Sequence, residues 1–419
     1  MSRAGDRTLG APEAPPVATV QRRTVRTLVL VQAVGALGFT IGIATASLLA
    51  RDLSGSDQQA GLAQTSQVLG AAVASYLLAR LMAGRGRRIG LTTGYLCAAA
   101  GAAGAVVAGS IGSMALLLGS MLLLGAATAS NAAARYAATD LAEEHGRARA
   151  LSMVVWATTI GAVLGPNLTG PSADLAAALR VPELTGPFVL GGATLLVAGG
   201  LAALLLRPDP LLLARELAGE VRLPGTGTAW RRVLDVLRHR PALAAAFVAL
   251  AGAHATMVAV MVMTPLHMEH GGAELRVIGF VISVHVLGMF ALSPVAGWLS
   301  DWWGRAPVVA TGGVVLLVAT LLCALAPEGT SWQIFTGLFL LGLGWSLATV
   351  GASALVVDHA PLEVRTDVQG SADMVMGLTA AAASAFAGVV VGELGFPALA
   401  GGAALLAAVV VASGVAARR

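Results

Sequence analysis

The 419-residue sequence contains no lysine, only two cysteines and few charged residues. Without lysine, no nucleotide-binding loop of the form GxxxxGK(S/T) can be completed, which excludes ATP-driven transport by this chain alone. Cys97 and Cys323 both fall in apolar segments, so no disulfide framework is expected. Charged residues make up 11% of the chain and apolar residues 57%, a balance that cannot cover the surface of a soluble protein. The bilayer is therefore the expected solvent.

Long apolar stretches fill most of the chain, and about 20 residues suffice for a helix to cross a bilayer. Twelve such stretches begin near Leu28, Gly61, Ile89, Met114, Ala148, Gly186, Ala242, Val277, Pro307, Ser331, Gln369 and Phe396. The sequence predicts an all-α membrane protein. No nucleophile triad or carboxylate pair indicates catalysis, so we expect a protein that is not an enzyme and needs no cofactor.

The arginines predict the orientation of these spans. An even number of spans puts both termini on one side, and all arginines except Arg51, Arg180 and Arg276 then fall on or near that side. Because positive charge concentrates in cytoplasmic loops, we expect both termini in the cytoplasm and the protein in the inner or plasma membrane. The basic residues are scattered over separate loops, so nucleic-acid binding is not expected.

A shift of 218 residues superposes the two halves of the chain. The segment 61–75 (GLAQTSQVLGAAVAS) aligns with 279–293 (GFVISVHVLGMFALS), and the same shift aligns Gly86-Arg87 with Gly304-Arg305. Such a repeat indicates two pseudo-symmetric six-helix bundles. We therefore predict a disordered cytoplasmic tail at 1–27, bundles at 28–206 and 242–419, and an amphipathic connector at 207–241.

The segment GWLSDWWGR, from Gly297 to Arg305, fits the G-x-L-x-D-x-x-G-R loop of the major facilitator superfamily, and the sequence resembles that family from Leu28 to Ala416. The resemblance implies a monomeric secondary transporter that works by alternating access. It also implies that Gly297, Asp301, Gly304 and Arg305 belong to a cytoplasmic gate, with Asp301 near the start of the fifth span. A carboxylate is favourable there because of the helix dipole.

The first-half loop departs from the family pattern. Gly86 and Arg87 are present, but Ala83 stands where the family has aspartate. We expect Asp373, near the start of the eleventh span, to replace that carboxylate by pairing with Arg80 or Arg85.

Polar side chains are scarce inside the spans, and intramembrane ionisable groups are costly enough to suggest function. Asn131 and Arg135 share one face of the fourth span, and no acidic residue lies near the middle of a predicted span. With Asn167 and Gln67, they are candidate residues along the path of a small organic solute. The segment 161–166 (GAVLGP) supports this alternative, because it resembles the Gly-Pro motif of drug and metabolite exporters.

Methionine and histidine recur at helical spacing in the seventh and eighth spans. His254, Met257 and Met261 share one face of the seventh span, and His285 and Met289 are four residues apart in the eighth. Thioether and imidazole ligands favour Cu(I) over magnesium, calcium or manganese. The five residues are a candidate metal path, although methionine also packs well in apolar cores.

The MxxxM and HxxxM pairs, with the surrounding HVLGMFALSP, resemble the CcoA-like (CalT) copper importers of the superfamily. That resemblance implies copper as the cargo and Met257, Met261, His285 and Met289 as its ligands. The same group includes proteins similar to riboflavin transporters. Export or import of a drug, a metabolite or riboflavin therefore stays open as the alternative, and a membrane sensor is a third reading.

Overall fold

The computed structural model describes residues 16–219 and 229–418, in which every regular element is helical. Twelve helical spans are long and apolar enough to cross a membrane. The predicted fold class is therefore confirmed. Eleven of the twelve predicted starts fall within a few residues of an observed helix start, because an apolar run and the turn residues before it define both.

The first half of the chain contains the helices α1 (Val17–Ser54), α2 (Asp57–Arg85), α3 (Arg87–Ile111), α4 (Met114–Ala137), α5 (Arg147–Asn167), α6 (Thr169–Leu179) and α7 (Gly186–Leu205). The short α6 continues α5 past a break at Leu168, and the other six helices are the spans of the first bundle.

Two short helices follow in the connector, α8 (Pro210–Leu217) and α9 (Ala229–His239). The second bundle contains α10 (Pro241–His270), α11 (Leu275–Val286), α12 (Ser293–Trp303), α13 (Arg305–Ala324), α14 (Trp332–His359), α15 (Arg365–Leu394) and α16 (Phe396–Ala416). Helices α11 and α12 form a single span, joined by a π-helical stretch at Leu287–Ala291.

The predicted disordered tail at 1–27 is wrong from Val17 onward, because α1 extends eleven residues ahead of its apolar run. Val20 and Thr24 are buried on this extension, and Gln21 Nε2 donates a hydrogen bond to Ala138 O at 2.7 Å. Contact with the end of α4 holds the extension in place. Residues 1–15 of the predicted tail lie outside the described residues.

Each bundle has its own apolar core. One buried cluster draws its residues from 28–206, and the other draws most of its residues from 233–410. The bundles meet where α2 packs against α15 and where α5 packs against α12. We name the face at which α1 begins and α16 ends the arginine-rich face, since Arg22, Arg87 and Arg305 lie there, and the other the opposite face.

The repeat is visible in how the helices cross. A Cβ on Gly70 of α2 would lie 2.0 Å from Leu122 O of α4, and one on Gly288, its counterpart, would lie 2.6 Å from Phe339 O of α14. Glycine at each crossing lets two backbones approach closely, as is common between membrane helices. These crossings fix the positions of Gln67 and His285, each three residues before its glycine.

Candidate functional site

A pocket of about 330 Å³ lies between the two bundles. Helices α2, α4, α10 and α15 supply most of its walls, which include Gln67, Thr128, His254, Asp373 and Met376. Along α15 the lining runs from Asp373 to Ser384, away from the arginine-rich face. The volume and the mainly apolar lining with a few polar groups are typical of a site for a small molecule.

Gln67 lines this pocket, and its side chain contains a buried acceptor without a partner. Its side chain is 2% exposed, and its Oε1 accepts no hydrogen bond from any described residue. A buried polar atom without a partner costs about 1–3 kcal/mol. A rotation of the amide that turns Oε1 toward the pocket would let a cargo donate a hydrogen bond to it and remove that cost.

His254 presents a donor in the same pocket. Its Nδ1 accepts a hydrogen bond from Trp345 Nε1 at 2.9 Å. An indole nitrogen can only donate, so a neutral His254 carries its proton on Nε2. The ring can then donate to a cargo, and it has no lone pair for a metal unless the bond to Trp345 breaks.

The floor of the pocket is a buried ion pair that joins the bundles. Asp373 Oδ1 of α15 accepts a hydrogen bond from Arg135 Nη2 of α4 at 2.5 Å, and the side chains are 5% and 8% exposed. Arg135 also lies over the ring of Tyr136, 4.6 Å from its centroid. The carboxylate lies about 12 Å along α15 from its start at Arg365, well inside the span.

The predicted pairing of Asp373 with Arg80 or Arg85 is wrong. Both arginines are exposed at the surface, and Arg80 lies over the ring of Tyr76 on its own helix, 5.9 Å from its centroid. Asp373 faces the interior between the bundles, where Arg135 meets it.

The other predicted path residues are placed apart from the pocket. Asn131 Oδ1 accepts a hydrogen bond from Tyr95 Oη at 2.8 Å, between helices of the first bundle. Asn167 is exposed near the opposite face, where its Nδ2 donates to Val163 O at 2.7 Å. Of the four, Gln67 lines the pocket and Arg135 pairs with the carboxylate of its floor.

The five predicted metal ligands are divided between the pocket and the second core. His254 lines the pocket, and Met257 and Met289 belong to the buried apolar cluster of the second bundle, with Met261 packed against it. Within 16–219 and 229–418, no group of three or more His, Cys, Asp or Glu side chains is placed to hold a metal ion.

His285 differs from the other four. It is 1% exposed, and its Nδ1 bonds to Leu338 O of α14 at 2.9 Å. Because a carbonyl oxygen only accepts, Nδ1 carries the proton and Nε2 keeps a lone pair. That Nε2 has no hydrogen-bond partner in the described part of the chain.

Asp301 caps a helix of the other bundle at the arginine-rich face. Its carboxylate accepts hydrogen bonds from the backbone N–H groups of Ala148 at 3.2 Å and Arg149 at 2.9 Å, at the start of α5. The Arg305 guanidinium lies 3.3 Å from the same carboxylate. Gly297 allows α12 to approach α5, since a Cβ there would lie 2.1 Å from Ser152 Oγ.

The first-half loop is built differently. Asp209 of the connector, not a residue of α2, accepts a hydrogen bond from the Arg88 backbone N–H at 2.7 Å. Arg215 Nη1 donates to Ala83 O at 2.8 Å, at the position where the family carries aspartate. The connector thus supplies the carboxylate that this loop lacks.

Two further contacts close the bundles together at this face. Arg87 pairs with Asp140 at 2.8 Å within the first bundle and donates to Gln369 Oε1 of α15 at 2.7 Å. Arg147 of α5 pairs with Asp358 of α14 at 2.8 Å. We use "the gate" for these contacts together with the Asp301 cap.

Trp345, Thr128, Met376 and Gln369 were not identified from the sequence. In the sequence, Trp345 and Met376 resemble other apolar residues of the spans. The bond of Trp345 to His254 and the place of Met376 in the pocket lining depend on helices that are far apart in sequence. Asp140, Arg147, Asp358 and Arg365 did give a signal, because the 218-residue shift aligns them as two Asp-Arg pairs.

Sequence comparisons identify the family. The family model of the Major Facilitator Superfamily matches residues 28–275 and 254–418. The uncharacterized MFS-type transporter YddS of Bacillus subtilis (strain 168) is 36% identical over 390 residues, covering 93% of this chain and 89% of YddS. The riboflavin transporter RfnT of Brucella anthropi is 32% identical over 380 residues, covering 88% of this chain and 89% of RfnT.

Solved structures share the fold. The E. coli fucose:proton symporter FucP has a TM-score of 0.68 at 16% identity, covering 93% of this chain and 97% of FucP. The human organic anion transporter MFSD10 also has a TM-score of 0.68 at 16% identity, covering 95% of this chain and 99% of MFSD10. With its twelve spans, its two bundles and these sequence matches, this chain belongs to the Major Facilitator Superfamily of membrane transporters.

Proposed function

We propose that this transporter carries a small organic compound through the pocket between its bundles by alternating access. The proposal rests on two polar groups in the mainly apolar lining of that pocket. Gln67 has an acceptor without a partner, and His254 has a donor. A flat heterocycle with both a donor and an acceptor on one edge fits this chemistry.

Riboflavin is the first compound to test. Its ring system is flat and largely apolar, and it carries an imide N–H that donates and carbonyl oxygens that accept. The 32% identity to the riboflavin transporter RfnT, over most of both chains, supports this choice.

We propose that the arginine-rich face is cytoplasmic, on the positive-inside rule. The gate then closes the cytoplasmic side, and the pocket lies on the far side of it. The eighth span consists of α11 and α12, and α12 is then its cytoplasmic half. Helix α5 of the first bundle packs closely on α12 and only slightly on α11, so the two bundles meet along the cytoplasmic half of this span. Breaking the gate would give the inward-facing state.

Uptake of radiolabelled riboflavin into cells or membrane vesicles tests the proposal. We expect uptake above that of vesicles without the transporter, and a loss of most of it when Gln67→Leu removes the acceptor at nearly constant volume. Asn167→Leu is the matched control, because Asn167 is exposed and does not line the pocket. Equal uptake with and without the transporter would reject riboflavin, and unlabelled drugs and metabolites can then be screened on the same vesicles.

Copper import is the second candidate, and His285 is the observation in its favour. Histidines that bind metals usually donate one ring N–H to a carbonyl or carboxylate, which aims the other nitrogen at the metal. His285 has this arrangement through Leu338. Against copper, Met257 and Met289 pack in the apolar core, and the lone pair of a neutral His254, on Nδ1, already accepts the hydrogen bond from Trp345.

Radioactive copper uptake separates the two candidates. If copper is the cargo, His285→Ala and Met257→Ala should each lower copper uptake at equal expression, and riboflavin uptake by the wild type should equal that of vesicles without the transporter. Equal copper uptake in the wild type and both variants would remove the copper candidate and leave the fold untouched.

A further inference from the structure

A groove of about 510 Å³ lies outside the cargo path, on the arginine-rich face. It separates the start of α1 from the segment that leads into α5. Its walls are mainly apolar and include Val17, Val25, Leu141, Ala150 and Met153. Gln21 also lines it, and the bond of Gln21 to Ala138 O fixes α1 beside the end of α4.

Three arginines and one glutamate complete the lining of the groove. Arg22, Arg26 and Arg149 are all exposed, and the single carboxylate is that of Glu143. Neither Arg26 nor Arg149 forms an ion pair with a carboxylate of the described chain, and Arg22 Nε donates to Ala18 O at 3.4 Å. The groove thus combines excess positive charge with an apolar wall.

The groove lies at the level where the apolar spans begin. Arg26 is the last charged residue before the uncharged stretch 27–50 of α1, and Arg149 is the last before the uncharged stretch 150–173. Trp298 and Trp302 of α12, which packs against α5, are stacked and exposed near the same face. Arginine and tryptophan at span ends mark the lipid headgroup region.

We propose that this groove binds one anionic phospholipid. Its phosphate is held by Arg26 and Arg149, with Arg22 beside them, and an acyl chain lies along Val25, Ala150 and Met153. Guanidinium groups pair strongly with phosphate, and the apolar wall selects a lipid over a free phosphate. The lipid would also border the gate, because the backbone N–H of Arg149 donates to Asp301.

Native mass spectrometry of the purified full-length transporter, titrated with phosphatidylglycerol or phosphatidylcholine in detergent, tests the site. We expect the wild type to retain one phosphatidylglycerol under conditions that strip phosphatidylcholine. Arg26→Gln with Arg149→Gln should weaken phosphatidylglycerol binding at least tenfold. Arg23→Gln is the matched control, because Arg23 is an exposed arginine of the same helix that does not line the groove.

Ala18→Phe is a second variant that fills the groove from the exposed first turns of α1 without removing a charge. It should also weaken the retention of phosphatidylglycerol. It tests the proposal if the double arginine variant does not fold. Equal retention of the two lipids by the wild type would overturn the proposal. So would unchanged phosphatidylglycerol binding in the groove variants, or displacement of the lipid by millimolar inorganic phosphate.

Discussion

At the scale of single residues, we expect the ion pair between Arg135 and Asp373 to be highly sensitive to substitution, because both charges are buried inside the membrane-spanning region. Removing one partner of a buried pair typically costs about 3–5 kcal/mol, since the other charge is left uncompensated. We expect Asp373→Asn to lower the unfolding temperature of the detergent-solubilised protein clearly, and Arg135→Gln added to it to restore part of the loss.

The control for this pair is Asp235→Asn, because Asp235 is 73% exposed and lies 3.6 Å from His239 of its own helix. We expect it to change the free energy of unfolding by no more than about 0.5 kcal/mol. Strictly additive losses for Asp373→Asn and Arg135→Gln would contradict a direct interaction between them.

His254 provides the second residue-scale prediction. His254→Phe removes a hydrogen-bond donor from the pocket, and such a bond contributes about 0.5–1.5 kcal/mol, so the KM for riboflavin should rise up to about tenfold. Met257→Leu keeps the volume of a core residue and should leave the KM unchanged. A larger effect of Met257→Leu than of His254→Phe on riboflavin uptake would place the cargo elsewhere.

The sequence identifies these residues better than it identifies their partners. Arg135 stands out as a charge inside a span, and Asp373 as a carboxylate near the start of one. Their contact, however, joins residues 238 positions apart. His254 and Trp345 are 91 positions apart. Such pairings depend on which helices become neighbours in the fold. The spacing of residues within one helix does not determine this.

At the scale of elements, the gate loops depend on glycine where the backbone is left-handed. Gly86 has φ +89° and Gly304 has φ +102°, at equivalent positions of the repeat. A Cβ on Gly86 would also lie 2.4 Å from Asp209 Oδ2. We expect Gly86→Ala to destabilise the protein by about 1–3 kcal/mol, measured by thermal unfolding in detergent.

Gly200→Ala is the control for Gly86→Ala, because Gly200 lies in helix α7 with open space around it. It should change stability by about 0.5 kcal/mol or less. Equal effects of the two substitutions would show that the turn does not need glycine.

Spans are predictable as elements because apolar length alone defines them, and most of their starts follow from apolar runs and turn residues. The extension of α1 is not predictable in this way, since its arginines make 17–27 polar and it is stabilised by tertiary contact, including the bond of Gln21 to the end of α4. The π-helical stretch at Leu287–Ala291 is also invisible in the pattern, because one extra residue in a helical turn leaves the apolar run unbroken.

At the scale of the whole molecule, the duplicated architecture and the missing carboxylate at Ala83 are readable from the sequence, while the residue that replaces that carboxylate is not. In the second half the carboxylate that accepts hydrogen bonds from backbone N–H groups is Asp301, which belongs to the repeated loop itself. In the first half it is Asp209, which belongs to the connector. Nothing near Ala83 in sequence marks Asp209 as its replacement, because α3 and later helices separate the two. The pocket likewise forms only when the two bundles dock.

The most direct test of the account is cysteine labelling of the pocket. In a background with Cys97→Ala and Cys323→Ala, Ala380→Cys places a thiol in the pocket lining, and Leu378→Cys places one on the same helix outside it. We predict that maleimide treatment abolishes riboflavin uptake by the Ala380→Cys protein, that excess riboflavin slows this loss, and that the Leu378→Cys protein is unaffected. Full labelling of Ala380→Cys with unchanged uptake would contradict the claim that the cargo passes between the bundles.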